Sequence, residues 1–238
     1  MSQDLIAGRQ EIQAGSFLSH PQSYDRQVRR FVPSYDEMLD VLLEGLQNME
    51  ARNSSVLELG CRTGDLAGRL LREKPFAQLT AVDRDLEMIL ACKDGLGSRA
   101  EWVELICQPE SRFLRPDAFD YVLSHLMLHR IEGTVDKIAT CRNVFQSLKP
   151  GGLFIFSAMI DSDSEAAAEM TWKCWERDVL SNGVSQREVA EWHARDRTES
   201  HSVPARVWLK WLRETGFIQA DIIWSETVFG ALWARKPQ

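Results

Sequence analysis

Short apolar runs alternate with amphipathic stretches through the middle of the chain. The apolar runs are rich in branched and aromatic side chains, and they predict strands at residues 56–59, 79–83, 102–107, 119–124 and 153–157. The stretches that separate them carry apolar residues at helical spacing, as at 86–92 and 134–148. Strands that alternate with helices form a parallel sheet buried on both faces. The pattern therefore predicts an α/β fold with a doubly wound, mostly parallel sheet.

The last part of the chain breaks this parallel pattern. A helix is predicted at 204–215, and two apolar segments follow at 217–224 and 227–234, separated only by Ser225 and Glu226. Two strands joined by so short a connection form a hairpin, because a parallel connection needs a much longer crossover. We therefore expect the sheet to end in an antiparallel strand.

Residues 161–203 differ in composition from the segments on either side. They begin acidic and rich in alanine, and they continue with Trp172, Trp175, Trp192 and His193 among charged residues. This pattern predicts an inserted pair of helices that forms a cap over the open end of the sheet. The predicted parts of the chain are an N-terminal arm with helices at 1–50, an α/β core at 51–160, the cap at 161–203, and the final helix with the hairpin at 204–238.

The N-terminal part carries a helix signal. Residues 1–20 have no clear period, which predicts a loosely held arm. Ser34, followed three residues later by Glu37, forms the pattern of a capping box. We expect this box to open a helix that runs to about Met49 and packs its apolar stripe on the sheet.

Composition and charge narrow the class of protein. The 238 residues carry a net charge of −7, which disfavours a surface built to neutralise nucleic-acid phosphates. The chain has no apolar run long enough for a membrane span and no signal-peptide pattern at its start, so we expect no membrane segment and a cytoplasmic location. The five cysteines are widely spaced, and no cluster shows metal-ligand spacing, so neither disulfides nor a metal site is expected.

Candidate binding residues follow the first two strands. The first strand leads into Gly60–Gly64, where a glycine turn brings backbone close to a ligand and the next helix points its free N–H groups at negative charge. Asp83 ends the second strand about 20 residues later, the separation at which a carboxylate accepts hydrogen bonds from a ribose. The dinucleotide pattern GxGxxG fails at Arg62 and Asp65, which argues against a dehydrogenase.

From about Tyr24 to Lys236 the chain resembles the class I S-adenosylmethionine-dependent methyltransferases. The turn pattern (E/D)xGxGxG of that family is matched by Glu58, Gly60 and Gly64, and Arg62 stands in place of the middle glycine. The acidic residue that binds the ribose in that family is matched by Asp83. The Asp of its fourth strand is matched by Asp120, its LKPGG turn by residues 148–152, and its late hairpin by residues 217–234. The resemblance implies a Rossmann-like, seven-stranded sheet with the strand order 3-2-1-4-5-7-6.

A closer likeness is to the subgroup that contains carboxy-S-adenosylmethionine synthase. The shared VPxY element stands here as Val32-Pro33-Ser34-Tyr35. The subgroup has an arginine in its insertion that grips the extra carboxylate of the cofactor, and Arg195 lies in the corresponding region. The resemblance implies that the cofactor S-adenosylmethionine is contacted by Tyr35, Gly60, Cys61, Arg62, Asp83, Arg84 and His125.

Two positions depart from the family pattern. Arg62 stands where the family usually has a small residue, at the point where backbone meets the methionine end of the cofactor. The third strand ends in Cys107-Gln108-Pro109 where the family often has an Asp for the adenine amino group, although Gln108 still offers a carbonyl acceptor. A degenerate domain that serves as a binding or oligomerising module is therefore an alternative, and a homodimer is left open.

The function that we predict from the sequence is transfer of a methyl group from S-adenosylmethionine to a small-molecule acceptor by in-line displacement. Because the sulfonium makes the methyl group electrophilic, the protein has to align a nucleophile and exclude water. His125 and His129 are predicted at the start of the helix after the fourth strand, and His129 is preferred to His125 and to His193 as a general base. A carboxy-S-adenosylmethionine synthase is the alternative enzyme.

Overall fold

The computed structural model describes residues 21–46, 54–73 and 78–238, without the side chains of 196–198. The arm predicted at 1–20 lies outside these residues. The described residues form strands β1 (Ser55–Leu59), β2 (Gln78–Asp83), β3 (Val103–Cys107), β4 (Phe119–His125), β5 (Leu148–Asp161), β6 (Val203–Pro204), β7 (Ile218–Glu226) and β8 (Phe229–Arg235). They also form helices α1 (Pro21–Phe31), α2 (Tyr35–Glu44), α3 (Asp65–Glu73), α4 (Leu86–Leu96), α5 (Thr134–Ser147), α6 (Glu165–Ser181), α7 (Gln186–Glu199) and α8 (Ala205–Thr215).

The strands form one twisted sheet in the order β3-β2-β1-β4-β5-β8-β7. The strands from β1 to β5 pair in parallel, while β8 pairs antiparallel with both β5 and β7. With the short strand β6 left out of the numbering, this is the predicted order 3-2-1-4-5-7-6. The predicted α/β class, strand order and antiparallel hairpin are therefore confirmed.

Helices cover both faces of the sheet because its central strands are apolar on both sides. One cluster of buried side chains joins α1, α2, α3 and α4 to the sheet, and a second joins α5 and α8 to the opposite face. In β1, Val56 belongs to the first cluster and Leu57 to the second, as the alternation of side chains along a strand requires. The carboxyl ends of β1, β2 and β4 consequently meet at one open edge, beside α1 and the cap.

The N-terminal helices differ from the prediction. The structure adds α1, which the sequence pattern did not identify. Ser34 stands at the N-cap of α2 with φ −98° and ψ 28°, and its side chain makes no capping hydrogen bond, so the predicted capping box is wrong. This backbone geometry differs from the extended conformation of an N-cap that bonds back to the helix. The helix also ends at Glu44, before the predicted end near Met49.

The middle of the chain also differs from the prediction at several positions. The predicted turn at 149–152 belongs to β5, which begins at Leu148 and reaches Asp161. His125 is the last residue of β4, and His129 lies in a 3-10 turn over Leu128–Arg130. Their predicted place at the start of a helix is wrong, because Gly133 separates them from α5. The strand β6, which pairs with the end of β5, was not predicted.

The cap, formed by α6 and α7, is tied to α1. The indole Nε1 of Trp175 donates a hydrogen bond of 2.8 Å to the carbonyl of Phe31, and the ring of Trp192 stacks on Phe31 with 4.8 Å between centroids. Arg30 pairs with Glu188 at 2.9 Å. These contacts place α1 and α7 side by side above the open edge of the sheet.

Candidate cofactor and acceptor site

The turn after β1 requires glycine at two positions. Gly60 and Gly64 adopt φ values of 78° and 86°, a region that favours glycine. A Cβ atom at Gly60 would lie 2.4 Å from Cγ of Met127, and one at Gly64 would lie 2.6 Å from Sγ of Cys92. The N–H groups of Gly60 and Cys61 bond the carbonyl of Val82 in the neighbouring strand. The turn is therefore held tightly against the end of β2.

Asp83 lies beside this turn at the end of β2. Its side chain is buried, and its two carboxylate oxygens accept hydrogen bonds from the backbone N–H groups of Arg62, at 2.8 Å, and Asp85, at 3.0 Å. A carboxylate has about four acceptor positions, so acceptor capacity remains. Asp83 lines a cavity of about 890 Å³, including its open mouth, which we call the outer cavity and which Arg84, Met88 and Glu110 also line.

Arg62 occupies the middle of the site. It is one of the non-glycine residues with positive φ, at 48°. Its guanidinium carbon lies 4.9 Å from the ring centroid of Tyr24, and Nη2 donates a hydrogen bond of 3.3 Å to the carbonyl of Leu126. Its Nε is buried without a partner. Arg62 lines the outer cavity and the two cavities described next, so the three spaces adjoin one another at its side chain.

A smaller cavity of about 220 Å³ lies directly against the turn and is lined by Tyr35, Glu58, Gly60, Arg62 and His125, among others; we call it the turn cavity. Three buried polar atoms on its walls have no hydrogen-bond partner, namely Glu58 Oε2, Arg62 Nε and His125 Nε2. Burial raises the pKa of Glu58 well above its ordinary value. Unpaired polar atoms are costly in a folded chain, and their concentration here indicates a ligand site.

His125 is neutral and held in place. Its Nδ1 lies 2.7 Å from the hydroxyl of Ser157, and the ring of Tyr35 meets it edge-on at 4.7 Å. Burial first, and then the positive charges of Arg62 and other arginines, lower its pKa to about 3. The ring therefore lines the turn cavity without a charge, and its buried Nε2 has no hydrogen-bond partner.

His129 is also buried, and its tautomer is fixed by the backbone. The N–H of Met159 donates to Nδ1 at 3.3 Å, so the ring proton sits on Nε2. Burial first, and then the nearby Arg130, lower the pKa of His129 well below its ordinary value. At neutral pH the ring therefore offers an N–H donor at Nε2.

The third cavity, of about 510 Å³ including its mouth, lies under the cap, and we call it the cap cavity. Its apolar wall is formed by Val28, Val32, Met159, Trp192 and Phe229. Its polar wall is formed by Tyr24, Arg62, His129, Arg130, Arg195, Glu199 and Ser200. A cavity with an apolar body and a few polar groups is the usual form of a small-molecule site.

The remaining predicted residues stand at the edges of the site. Arg84 is half exposed, and its Nε donates to the buried carboxylate of Glu110 at 2.9 Å. Cys61 lies on the wall of the turn cavity. Gln108 bonds the carbonyl of Asp83 through its backbone N–H, and its side chain is absent from the walls of the outer cavity as described. Glu110 lines that cavity instead.

Sequence reasoning missed several residues of the site: Tyr24, Glu110, Arg130, Trp192 and Glu199. Tyr24 and Trp192 reach it from helices far apart in the chain, so no local spacing connects them with the turn. The abundance of tryptophan in the predicted cap was the one usable signal, and it identified Trp192 only as a member of a group. Within residues 21–46, 54–73 and 78–238, no group of three His, Cys, Asp or Glu side chains is placed to hold a metal ion.

The fold, the glycine turn and the acidic end of β2 define the class of protein. A family profile described as "Methyltransferase domain" matches residues 24–219, so the chain belongs to this methyltransferase family. S-adenosylmethionine is its cofactor. No helix in the described part of the chain has both the length and the apolar character that a membrane crossing requires.

Curated relatives are similar at low identity. The carboxy-S-adenosyl-L-methionine synthase of Hydrogenovibrio crunogenus is 26% identical over 212 residues, which cover 88% of this chain and 84% of the relative. The enzyme of the same name from Shewanella loihica is 26% identical over 168 residues, covering 69% of this chain and 68% of the relative. The predicted resemblance to this subgroup is therefore confirmed.

Solved structures agree on the fold. The N-methyltransferase NodS from Bradyrhizobium japonicum, in complex with S-adenosyl-L-homocysteine, superposes with a TM-score of 0.65 at 17% identity, covering 94% of this chain and 98% of the other. Human N-acetylserotonin methyltransferase in complex with S-adenosylmethionine has a TM-score of 0.60 at 16% identity, covering 95% of this chain and 57% of the other. At these identities the likeness shows the shared fold.

Proposed function

We propose that this protein transfers the methyl group of S-adenosylmethionine to a small-molecule acceptor. The observation that carries the proposal is the meeting of three cavities at Arg62: two lie along the ends of β1 and β2, where the family binds its cofactor, and the third lies beside them under the cap. A cofactor and an acceptor thus have adjoining spaces.

The residues around the first two cavities suit the parts of the cofactor. Asp83 has acceptor capacity left for the ribose hydroxyl groups. Glu58, His125 and Tyr35 line the turn cavity, whose unpaired polar atoms suit the polar methionine end. Arg84 lines the outer cavity, where the adenosine part of the cofactor would lie. The contact of Gln108 with the adenine stays a prediction. Gly60 and Gly64 give the turn the positive-φ conformation that a close backbone approach to the cofactor requires.

The bound cofactor supplies an electrophilic methyl group on its sulfonium. The protein then has to orient the acceptor in line with that group and keep water out, tasks that a cavity walled by α1 and α7 is suited to perform. His129 was predicted as a general base, but its Nδ1 accepts a backbone N–H and its Nε2 carries the proton. We therefore propose that His129 acts on the acceptor as a hydrogen-bond donor that positions it.

Calorimetric titration of the purified protein with S-adenosylmethionine and S-adenosylhomocysteine tests the cofactor site. We expect saturable binding of both, and methyl transfer to members of a small-molecule library, detected as formation of S-adenosylhomocysteine. Binding without any methyl transfer would favour a binding module. Absence of binding would contradict the proposal, because Arg62 would then close the site.

A second candidate function is the synthesis of carboxy-S-adenosylmethionine. The names of the curated relatives and the arginines of the cap cavity, including Arg195, favour it. It requires that protein purified from cells carry a cofactor heavier than S-adenosylmethionine by the mass of one CO2 unit. Mass spectrometry of the small molecule released on denaturation distinguishes the two, and release of unmodified S-adenosylmethionine alone would count against synthase activity.

A further inference from the structure

Tyr24 lies on the boundary between two of the three cavities. Its side chain lines both the turn cavity and the cap cavity, and among the described residues only Arg62 shares this position. Tyr24 is buried, with 3% of its surface exposed, and it reaches the boundary from α1. Tyr35, the first residue of α2, lines the turn cavity but not the cap cavity. A group that moves from the turn cavity to the cap cavity therefore passes the side chains of Tyr24 and Arg62.

The hydroxyl of Tyr24 is uncharged. Burial raises its pKa above the ordinary value, so the phenol keeps its proton at neutral pH. Arg62 and Arg130 act on this pKa in the opposite direction, while Asp83 adds to the rise, so charged groups from several sides of the cavities act on the same oxygen. The hydroxyl makes no hydrogen bond with another described residue. Its lone pairs therefore remain for a group that enters from a cavity.

The covalent structure of the cofactor relates these cavities to one another. In S-adenosylmethionine the sulfonium sulfur carries the methyl group and joins the ribose to the methionine chain. The proposed function assigns the ribose to Asp83 in the outer cavity and the methionine end to the turn cavity, beside Glu58 and His125. The sulfur then belongs between these two cavities, and its methyl group has to point towards the acceptor in the cap cavity. Tyr24 stands on the boundary that this methyl group faces.

Of the two side chains on this boundary, Tyr24 is the one suited to face a sulfonium. A sulfonium is a cation, and the guanidinium of Arg62 would repel it. That guanidinium is also engaged elsewhere, since its carbon lies 4.9 Å from the ring centroid of Tyr24 and Nη2 donates to the carbonyl of Leu126. The phenol oxygen, in contrast, offers lone pairs without a positive charge, and C–H groups make favourable contacts with such oxygens.

From this geometry we infer that Tyr24 is a catalytic residue whose hydroxyl oxygen contacts the methyl group on the sulfonium and directs it towards the cap cavity. The inference rests on the proposed function, because it takes the cofactor to occupy the outer cavity and the turn cavity. It has a consequence for binding that does not depend on the identity of the acceptor. S-adenosylhomocysteine has neither the methyl group nor the positive charge, so the hydroxyl of Tyr24 contributes to binding of the methylated cofactor and not to binding of the demethylated one.

Calorimetric titration of the full chain and of Tyr24→Phe with three ligands tests the inference. The ligands are S-adenosylmethionine, S-adenosylhomocysteine and sinefungin, an analogue with an amino group in place of the methyl group. We expect Tyr24→Phe to weaken sinefungin about tenfold or more, the scale of a hydrogen bond to a charged group. It should weaken S-adenosylmethionine about two- to fivefold, the scale of a C–H···O contact, and leave S-adenosylhomocysteine within about twofold. Ratios between ligands cancel any general effect of the substitution on the fold.

The other two tyrosines of the chain supply matched controls. Tyr35→Phe should change the affinity for all three ligands by the same factor, because Tyr35 lines only the turn cavity of the three. Tyr121→Phe should change none, because Tyr121 lies in β4 and lines none of the three cavities. Equal changes for all ligands in Tyr24→Phe, or the same selective loss in Tyr35→Phe, would overturn the inference while retained binding upholds the proposed cofactor site. A wild-type chain that binds none of the ligands would contradict the proposed function and this inference with it.

Discussion

Replacement of Asp83 by alanine is the sharpest test of the cofactor site. The carboxylate accepts two backbone hydrogen bonds, from Arg62 at 2.8 Å and from Asp85 at 3.0 Å, and it faces the outer cavity with acceptor capacity to spare. If the ribose of the cofactor uses that capacity, Asp83→Ala removes hydrogen bonds to a charged acceptor. We expect the affinity for S-adenosylhomocysteine to fall by about 1.5–3 kcal/mol, or about 10- to 150-fold.

The same substitution has a cost in stability, because the N–H groups of Arg62 and Asp85 lose their acceptor. The open mouth of the outer cavity lets water replace the carboxylate in part, so we expect a loss of about 1–3 kcal/mol in the free energy of unfolding, with the fold retained. Calorimetry measures the affinity, and urea denaturation followed by circular dichroism measures the stability of the same preparations.

Asp120→Ala is the matched control. The carboxylate of Asp120 accepts the backbone N–H of Ser55 at 2.8 Å and pairs with Lys149 at 2.7 Å, near the opposite end of the sheet. It should therefore lower stability to a similar extent while leaving cofactor affinity unchanged. The reasoning is refuted if Asp83→Ala binds the cofactor like the wild type, or if Asp120→Ala weakens binding equally.

Three further results are expected. Arg62→Gly should change the free energy of unfolding by no more than about 1 kcal/mol, because relief of the positive φ offsets the lost contact with Tyr24. The variant should still bind the cofactor, since the expected contact is through the backbone, and loss of binding would show that the guanidinium itself holds the cofactor. The imidazole of His125 should stay neutral in an NMR titration of the folded protein down to about pH 3. Because the same imidazole is protonated below about pH 6.5 in the unfolded chain, acid should destabilise the fold between about pH 6.5 and pH 3. A titration midpoint near 6.5 in the folded protein would contradict this. Despite partial burial, hydrogen bonds from Arg30 and Ser185 lower the pKa of Glu188 to about 2, so Glu188→Gln should lower the free energy of unfolding by about 1–2 kcal/mol at pH 7. The difference in free energy of unfolding between the variant and the wild type should shrink below pH 4.5 and vanish near pH 2. A constant difference across this range would exclude the ionic contribution.

The sheet was predictable because its signals are local. Each parallel strand is a short apolar run between turns, and the carboxyl ends of such strands share one edge, so the neighbourhood of Gly60 and Asp83 followed from the chain order. The strand order itself came from the family resemblance, since the pattern of apolar runs alone does not say which strands are neighbours.

What the sequence could not supply depends on tertiary contacts. Tyr24 joins the site because α1 is held there: Arg29 pairs with Asp65 at 2.6 Å, and Trp175 bonds the end of the helix. The proposed donor role of His129 depends on a single N–H from Met159, in a strand 30 positions away. The capping box at Ser34 failed for the opposite reason, since a correct local pattern was overridden by the backbone geometry that leads from α1 into α2.

Arg62 shows why a departure from a family pattern need not destroy a site. Positive φ is the conformation that the family's small residue would adopt at no cost, and this chain tolerates an arginine there by anchoring its backbone and its side chain separately. The backbone N–H bonds Asp83, and the side chain turns away from that bond to reach Tyr24 and the carbonyl of Leu126. Because this second anchor brings the guanidinium to the boundary of all three cavities, the same substitution that departs from the pattern also adds a positive charge beside Arg130. The residue that departs from the family pattern thus stands where the spaces proposed for the cofactor and the acceptor adjoin.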